Sequence, residues 1–283
     1  VLGYIGSHIF SRTKIPDVIW LLFFGIVVSY VGFVPREPFL AMSNILAAIA
    51  LFIILFDAGM KMDFYQFVRG ISRSFLLAFF GVVLSIMAVA GFGYFFMDMS
   101  LLQAGLLGAI LGGVSSSTVI SMVSGLRINT DVKTMLTLES VLTDPIVIVV
   151  SMAFIGIISP AIAVNSPVHT VMSAFSIGAV IGIVIGVIWL FILDELKNKP
   201  FDYMLTLGIL FLLYAAVEQT GGSGAIAALF FGLILGNGKT FSKMLKFRKS
   251  YTISPFLKKV QTEITFFIRA FFFMFLGLIV VIN

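Results

Sequence analysis

The stretch ESVLTDPIVIVV, residues 139–150, places two carboxylic acids inside a long apolar run. An aspartate at the centre of a membrane-spanning helix costs about 2.5–3.5 kcal/mol to insert, so such a residue is a candidate for function. Asp144 lies near the middle of its apolar segment. We therefore predict that Asp144 is a functional residue that faces a cavity.

The neighbours of Asp144 have the spacing of one helical turn. On a helix, Ser140 lies next to Asp144 and Glu139 lies next to Thr143, so the two acids point to different faces. Because of this separation the acids do not form a dyad that shares one proton. Glu139 is instead predicted to be a structural counter-charge.

Two helix-breaking features accompany the acids. Pro145 disfavours helical geometry at the residue before it, and its missing N–H frees a backbone carbonyl that can coordinate a cation. The preceding segment contains GGVSSST, residues 112–118, which is poor material for a continuous helix interior. Broken helices at membrane depth line cavities, and transporters place ion sites there. Ser116 and Ser117 are therefore predicted to offer oxygens opposite Asp144.

Composition places these residues in a membrane protein. The chain of 283 residues is 60% hydrophobic and 11% charged, whereas soluble domains are about 25% charged. It has no cysteine, which excludes a disulfide framework and cysteine-based chemistry. His8 and His169 both fall near segment ends, which argues against a His-rich metal site or a serine protease at the serine run. No enzyme activity, cofactor or nucleic-acid partner is predicted.

Apolar segments recur along the whole length, and most of them approach the roughly 20 residues that a helix needs to span a bilayer. The predicted fold class is therefore an all-α polytopic membrane protein with about ten transmembrane segments. They lie near 1–11, 16–34, 40–60, 74–97, 101–124, 133–158, 168–193, 201–219, 222–237 and 263–282.

The basic residues give these segments an orientation. Nearly all of the 18 Lys and Arg residues fall in alternate connections, and the other connections carry only Arg36. The positive-inside rule then predicts a multi-pass protein of the cytoplasmic membrane. Its predicted cytoplasmic loops lie near 12–15, 61–73, 125–133, 194–201 and 238–262. The loop 238–262 is the most basic; it is predicted to be a simple loop or to contain an interfacial helix, and it could attract anionic lipid.

The remaining membrane-depth charges have simpler interpretations. Asp57 and Lys61 are four residues apart at a segment end, which predicts an ion pair. Glu218 ends its segment and is predicted to be solvated or to cap a helix. Arg269 lies inside the last segment, where it either reaches back to the interface or pairs with Glu139.

Together, these motifs resemble the monovalent cation:proton antiporter superfamily of Na⁺/H⁺ and K⁺/H⁺ exchangers. ESVLTDPIVIVV resembles that family's Glu-Ser-x-x-Asn-Asp helix, and LGGVSSSTVIS, residues 111–121, resembles the broken helix before it. GGSGAIAALFFGLILGN, residues 221–237, and FFFMFLGL, residues 271–278, resemble its glycine-rich and phenylalanine-rich segments. The resemblance covers nearly the whole chain.

The resemblance implies a core domain with broken helices, a dimerisation domain, and exchange of Na⁺ or K⁺ for protons by alternating access in a homodimer. A monovalent cation or a proton would bind at Asp144, with Glu139 steadying the site. The site would be lined by Ser116, Ser117, Ser140 and Thr143. Because Thr143 stands where the family carries Asn or Asp, one carboxylate is left, which favours electroneutral one-for-one exchange.

The resemblance also implies that residues 1–283 form an antiporter transmembrane domain that is incomplete at both ends, with the second broken helix expected beyond residue 283. A cation channel or a solute symporter of the same fold is the alternative. Such proteins differ from an antiporter in how ion and proton movements are coupled, and they can carry the same types of residue. The sequence does not distinguish Na⁺ from K⁺ as the transported cation.

Overall fold

The computed structural model describes residues 17–31, 36–114, 119, 123, 128–159, 167–195, 202–245 and 255–279. Within these ranges the regular structure is entirely helical. The helices are α1 (Asp17–Tyr30), α2 (Arg36–Lys61), α3 (Phe64–Phe96), α4 (Leu101–Leu111), α5 (Thr130–Ile158), α6 (Pro167–Glu195), α7 (Asp202–Gln219), α8 (Gly224–Gly236), α9 (Gly238–Met244) and α10 (Pro255–Ile279).

Several of these helices are built to cross a membrane. Among the described residues, five helices are long and apolar enough, and the pair α8–α9, bent by 78°, would make a sixth. Helices α1, α4 and α7 are apolar but shorter. These elements overlap the predicted segments from 16–34 onwards, although α4 covers only the first half of the segment 101–124, whose second half lies mostly outside the described residues. The predicted segment 1–11 also lies outside the described residues. The all-α polytopic class is confirmed.

The predicted loop 61–73 is wrong over most of its length, because α3 begins at Phe64. The Asp63 carboxylate accepts a hydrogen bond from the backbone N–H of Gln66 at 2.9 Å, which caps the first turn. Helix α3 has 33 residues, so it is about 50 Å long and exceeds the roughly 30 Å hydrocarbon core. Its first turns are helical but not apolar. The hydropathy of the sequence therefore does not assign them to a membrane span.

The predicted loop 238–262, for which an interfacial helix is an alternative, contains helical residues at both ends. Helix α9 begins at Gly238 and α10 begins at Pro255, so the loop contains helical residues on both sides. Residues 246–254 lie outside the described part of the chain. The attraction of this basic stretch for anionic lipid stays a prediction.

The helices divide into two compact units. The described parts of Val1–Lys61, Val180–Glu218 and Gly224–Asn283 form the first unit. Its centre is α8, which is buried along nearly its whole length. A methyl group added at Gly59 of α2 would overlap the carbonyl of Leu229, and one added at Gly232 of α8 would overlap the carbonyl of Phe56. Small residues thus let the backbones of α2 and α8 approach closely.

Polar groups inside the first unit are paired across helices. Trp189 Nε1 donates to Thr206 Oγ1 at 3.0 Å, which ties α6 to α7. Tyr203 Oη donates to Gln261 Oε1 at 2.8 Å, which ties α7 to α10.

Glu218, near the end of α7, has a capping role. Its Oε1 accepts the backbone N–H of Gly224 at 2.8 Å, at the first residue of α8. Of the two roles predicted for Glu218, solvation and helix capping, the structure confirms capping.

The second unit comprises Met62–Ala179 and Gln219–Ser223, which include α3, α4, α5 and the first part of α6. Ser74 Oγ donates to the carbonyl of Met135 at 3.0 Å and joins α3 to α5. Ser85 Oγ donates to the carbonyl of Gly108 at 3.1 Å and joins α3 to α4. Side chain-to-backbone hydrogen bonds therefore fix α3 against both helices that carry the candidate site.

Candidate functional site

Helix α5 carries the two acids of the candidate site. It starts after Asn129, whose side chain accepts the N–H of Asp131 at 2.9 Å, and it continues as one helix to Ile158. Asp144 lies at its middle, and the backbone stays helical through Pro145, so the predicted loss of helical geometry at Asp144 is wrong. Membrane helices tolerate an internal proline when neighbouring groups satisfy the backbone. The carbonyl of Val141 still lacks the N–H that position 145 would normally donate.

The hydroxyl of Thr143 is directed at Glu139. Thr143 is buried, and its Oγ1 lies 2.7 Å from the carbonyl oxygen of Glu139 and 3.1 Å from Glu139 Oε1. The predicted proximity of these two residues, one turn apart, is confirmed. Ser140 is also buried, and its Oγ donates to the carbonyl of Thr137 at 2.9 Å. Because both hydroxyl hydrogens are used within α5, these oxygens can face an ion only with their lone pairs.

Helix α4 ends beside α5. Its last residue is Leu111, and the N–H of Gly112 closes the final turn on the carbonyls that precede it. A methyl group added at Gly113 would lie 3.7 Å from Val147 Cγ2, three residues past Asp144 on α5. A helix C-terminus carries unpaired carbonyls and a partial negative charge. The end of α4 is therefore a favourable neighbourhood for a cation at this level of α5.

Three of the predicted site side chains lie outside the described residues. They are those of Ser116, Ser117 and Asp144. Their roles stay predictions. What the structure brings together is the end of α4 and the middle of α5, which carries the Thr143–Glu139 pair.

The ion pair predicted for Asp57 is confirmed. Asp57 is buried, and its Oδ2 lies 2.6 Å from Lys61 Nζ. Arg269 of the same unit lies close enough for its charge to act on Asp57. The predicted pairing of Arg269 with Glu139 would join residues of different units, and it stays a prediction.

Sequence reasoning missed a polar cavity in the second unit. The cavity has a volume of about 400 Å³, and its polar lining is Gln66, Arg69, Arg73, Asp131 and Thr134. It was missed because residues 61–73 were predicted to be a loop. Asp63 followed by Gln66 three residues later resembles a capping box, and this signal places a helix start at Phe64. That start puts the two arginines, four residues apart, on one helical face.

Known antiporters are similar to this chain. The K(+)/H(+) antiporter NhaP2 of Shewanella sp. (strain ANA-3) is 28% identical over 244 residues, which cover 83% of this chain and 42% of that protein. The probable Na(+)/H(+) antiporter 2 of Methanocaldococcus jannaschii is 27% identical over 285 residues, which cover 97% of this chain and 66% of that protein. The chain thus spans less than half the length of the first relative.

The fold also matches a solved structure. The sodium proton antiporter MjNhaP1 from Methanocaldococcus jannaschii, in its structure at pH 8, superposes with a TM-score of 0.75 at 21% identity. The match covers 99% of this chain and 70% of that one. The family model for the sodium/hydrogen exchanger transmembrane region matches residues 1–283, so the chain belongs to the sodium/hydrogen exchanger family, a family of transporters and not of enzymes.

Proposed function

We propose that this chain is the transmembrane part of an antiporter that exchanges a monovalent cation, Na⁺ or K⁺, for protons. Its family, and relatives named as Na(+)/H(+) and K(+)/H(+) antiporters, support the exchange. The observation that supports this proposal for the site is that Gly113, two residues past the end of α4, lies near Val147 of α5, within one turn of Asp144.

Asp144 is the residue at which the exchange takes place. An ionised carboxylate without a partner is costly in a low-dielectric interior, so Asp144 crosses the barrier only with a cation or a proton bound. The end of α4 and the carbonyl of Val141 supply further oxygens and negative partial charge to the cation. Protonation removes the charge that holds the cation, and the cation leaves. Exposure of this one site to either side in turn couples the two ions.

The other predicted residues complete the site in this proposal. Thr143 and Ser140 contribute oxygen lone pairs from α5, and Ser116 and Ser117 contribute oxygens from the chain that follows α4. Glu139, whose carboxyl oxygen lies 3.1 Å from the hydroxyl of Thr143, acts as a structural counter-charge. One titrating carboxylate then exchanges one proton for one cation. We further propose that the protein works as a homodimer in the cytoplasmic membrane with its basic loops on the cytoplasmic side.

The test is proton release from proteoliposomes that contain the full-length protein and a trapped pH-sensitive dye. Addition of Na⁺ or K⁺ should drive protons across the membrane without an imposed potential, and Asp144→Asn should abolish this signal. The matched control is Asp98→Asn. Asp98 is exposed in the turn between α3 and α4 with a φ of 50°, a conformation that Asn adopts readily. We expect this control to exchange ions at the wild-type rate.

Two outcomes would contradict the proposal. Cation-driven proton release that persists in Asp144→Asn would show that another group binds the ions. Cation flux without proton movement in the wild-type protein would support a channel of the same fold.

A further inference from the structure

Two arginines on the first turns of α3 line the polar cavity of the second unit. Arg69 and Arg73 are four residues apart, so both side chains leave the same face of the helix. Both residues are exposed. Like charges at this spacing repel each other, and an anion between them would remove the repulsion.

No described residue of the protein pairs with either arginine. Within the described ranges, neither guanidinium takes part in a hydrogen bond or an ion pair. The cavity lining includes one carboxylate, that of Asp131. Asp131 lies in the first turn of α5, where the positive end of the helix dipole offsets its charge. The charges of Arg69 and Arg73 therefore dominate the cavity.

The rest of the polar wall also presents hydrogen-bond donors. The hydroxyl of Thr134 lies 2.9 Å from Gln66 Oε1 and 3.0 Å from the carbonyl of Thr130, and the first contact joins α3 to α5 across the cavity. The Gln66 side chain also carries an NH₂ group that can donate to a ligand. The two guanidinium groups offer only N–H donors, which match the acceptor oxygens of a phosphate group.

The position of the cavity along α3 points to the membrane surface. Arg73 is followed by residues 74–97, which carry no charge. An uncharged run of this length is sufficient to span the hydrocarbon core of a membrane. Arg73 therefore lies at one edge of the hydrocarbon core. Phospholipid phosphates lie at that depth. The cavity volume of about 400 Å³ falls within the range of small-molecule sites.

We propose that this cavity binds a phosphate-bearing anion, with Arg69 and Arg73 as its principal contacts. The same chemistry is carried by anionic phospholipid headgroups and by inorganic phosphate. A ligand held here would bridge α3 to α5, the helix that carries Asp144. The proposal does not depend on the exchange reaction, because it concerns binding alone.

The test is an equilibrium titration of the full-length protein, purified in a neutral detergent, with phosphatidylglycerol and separately with phosphatidylcholine. Arg69→Gln/Arg73→Gln removes both contacts. The comparison double variant Lys258→Gln/Lys259→Gln removes the same charge from exposed positions of α10 outside the cavity, within the basic stretch 238–262 that is predicted to attract anionic lipid. We expect the arginine double variant to bind phosphatidylglycerol about tenfold or more weakly, since it loses charge-assisted hydrogen bonds. The lysine double variant measures the diffuse attraction of that basic stretch, and it should weaken binding clearly less than the arginine double variant because it removes no contact in the cavity.

Competition with inorganic phosphate separates the two sources. Displacement of the lipid by phosphate at equal concentration assigns the site to the phosphate ion, whereas lipid that resists displacement assigns it to the headgroup. Equal losses in the two double variants, a loss confined to the lysine variant, or equally tight binding of phosphatidylcholine would each overturn the proposal. If the arginine double variant does not fold, Arg73→Gln is compared with Lys258→Gln, and the same order of affinities is expected.

Discussion

Replacing Thr143 by valine removes one oxygen from the proposed site and leaves the shape of the side chain nearly unchanged. Thr143 is 1% exposed, and its Oγ1 lies 2.7 Å from the carbonyl of Glu139 and 3.1 Å from Glu139 Oε1. The carbonyl of Glu139 keeps the backbone N–H of position 143 in the continuous helix, so no backbone group loses its only partner. The Glu139 carboxylate loses one donor.

The size of the effect follows from these contacts. One intramolecular hydrogen bond contributes about 0.5–1.5 kcal/mol to stability, so Thr143→Val should lower the free energy of unfolding by about 1 kcal/mol. If the Thr143 oxygen also binds the cation, the variant loses a comparable amount of binding free energy. At about 1.4 kcal/mol for each factor of ten, the half-saturating cation concentration should rise by roughly two- to tenfold.

Thr143→Ser is the matched control, because it keeps the hydroxyl and loses only a methyl group. Both variants are compared by proton release at varied Na⁺ or K⁺ concentration and by thermal denaturation in detergent. We expect Thr143→Val to raise the half-saturating concentration and Thr143→Ser to leave it unchanged, although both lose stability. The reasoning is refuted if the valine variant keeps the wild-type value, or if the serine variant shows the same increase.

Three further predictions concern charge movement and packing. Exchange at Asp144 should proceed at the same rate with and without an imposed membrane potential, because one cation is traded for one proton; acceleration by a potential would contradict this stoichiometry. Gly59→Ala should destabilise the protein by about 1–3 kcal/mol through overpacking. In contrast, Gly208→Ala, whose added methyl group has no neighbour within 4 Å, should stabilise it by about 0.5–1 kcal/mol in thermal denaturation. Lys61→Met should lower the melting temperature more than Asp57→Asn, because it leaves the buried carboxylate of Asp57 without its 2.6 Å partner.

The sequence predicts the helices well where an apolar run is bounded by turn-forming or charged residues. The segment predicted at 201–219 is α7, Asp202–Gln219, and the segment predicted at 222–237 is α8, Gly224–Gly236. Glycines bound α8, and the break between it and α7 contains Gly221 at a φ of 75°. The prediction fails at the start of α3, because hydropathy measures the length of a membrane span and not the length of a helix. The start of that helix is marked instead by the capping signal of Asp63 and Gln66, which the structure shows as a hydrogen bond between them.

Some features of the candidate site can be predicted from local sequence, whereas others depend on how the helices pack. The Glu139–Thr143 contact follows from helical periodicity, and the end of α4 falls at the glycine pair that begins at Gly112. Gly113 lies near Val147 because of how α4 packs against α5. No sequence pattern within either segment predicts this packing. The arginine-lined cavity is likewise a product of the packing of α3 against α5.

The Thr143–Glu139 hydrogen bond separates the roles of the two acids on α5. Glu139 Oε1 has the Thr143 hydroxyl within 3.1 Å on its own helix, a contact that requires no ion at Asp144. Thr143 does not titrate, and its hydrogen is already engaged, so it can offer the ion an oxygen but no exchangeable proton. A carboxylate at position 143 would place a second titrating group beside both acids and change the charge moved in each cycle. In this proposal Asp144 provides the exchange, but the identity of residue 143 determines how many protons each cation is exchanged for.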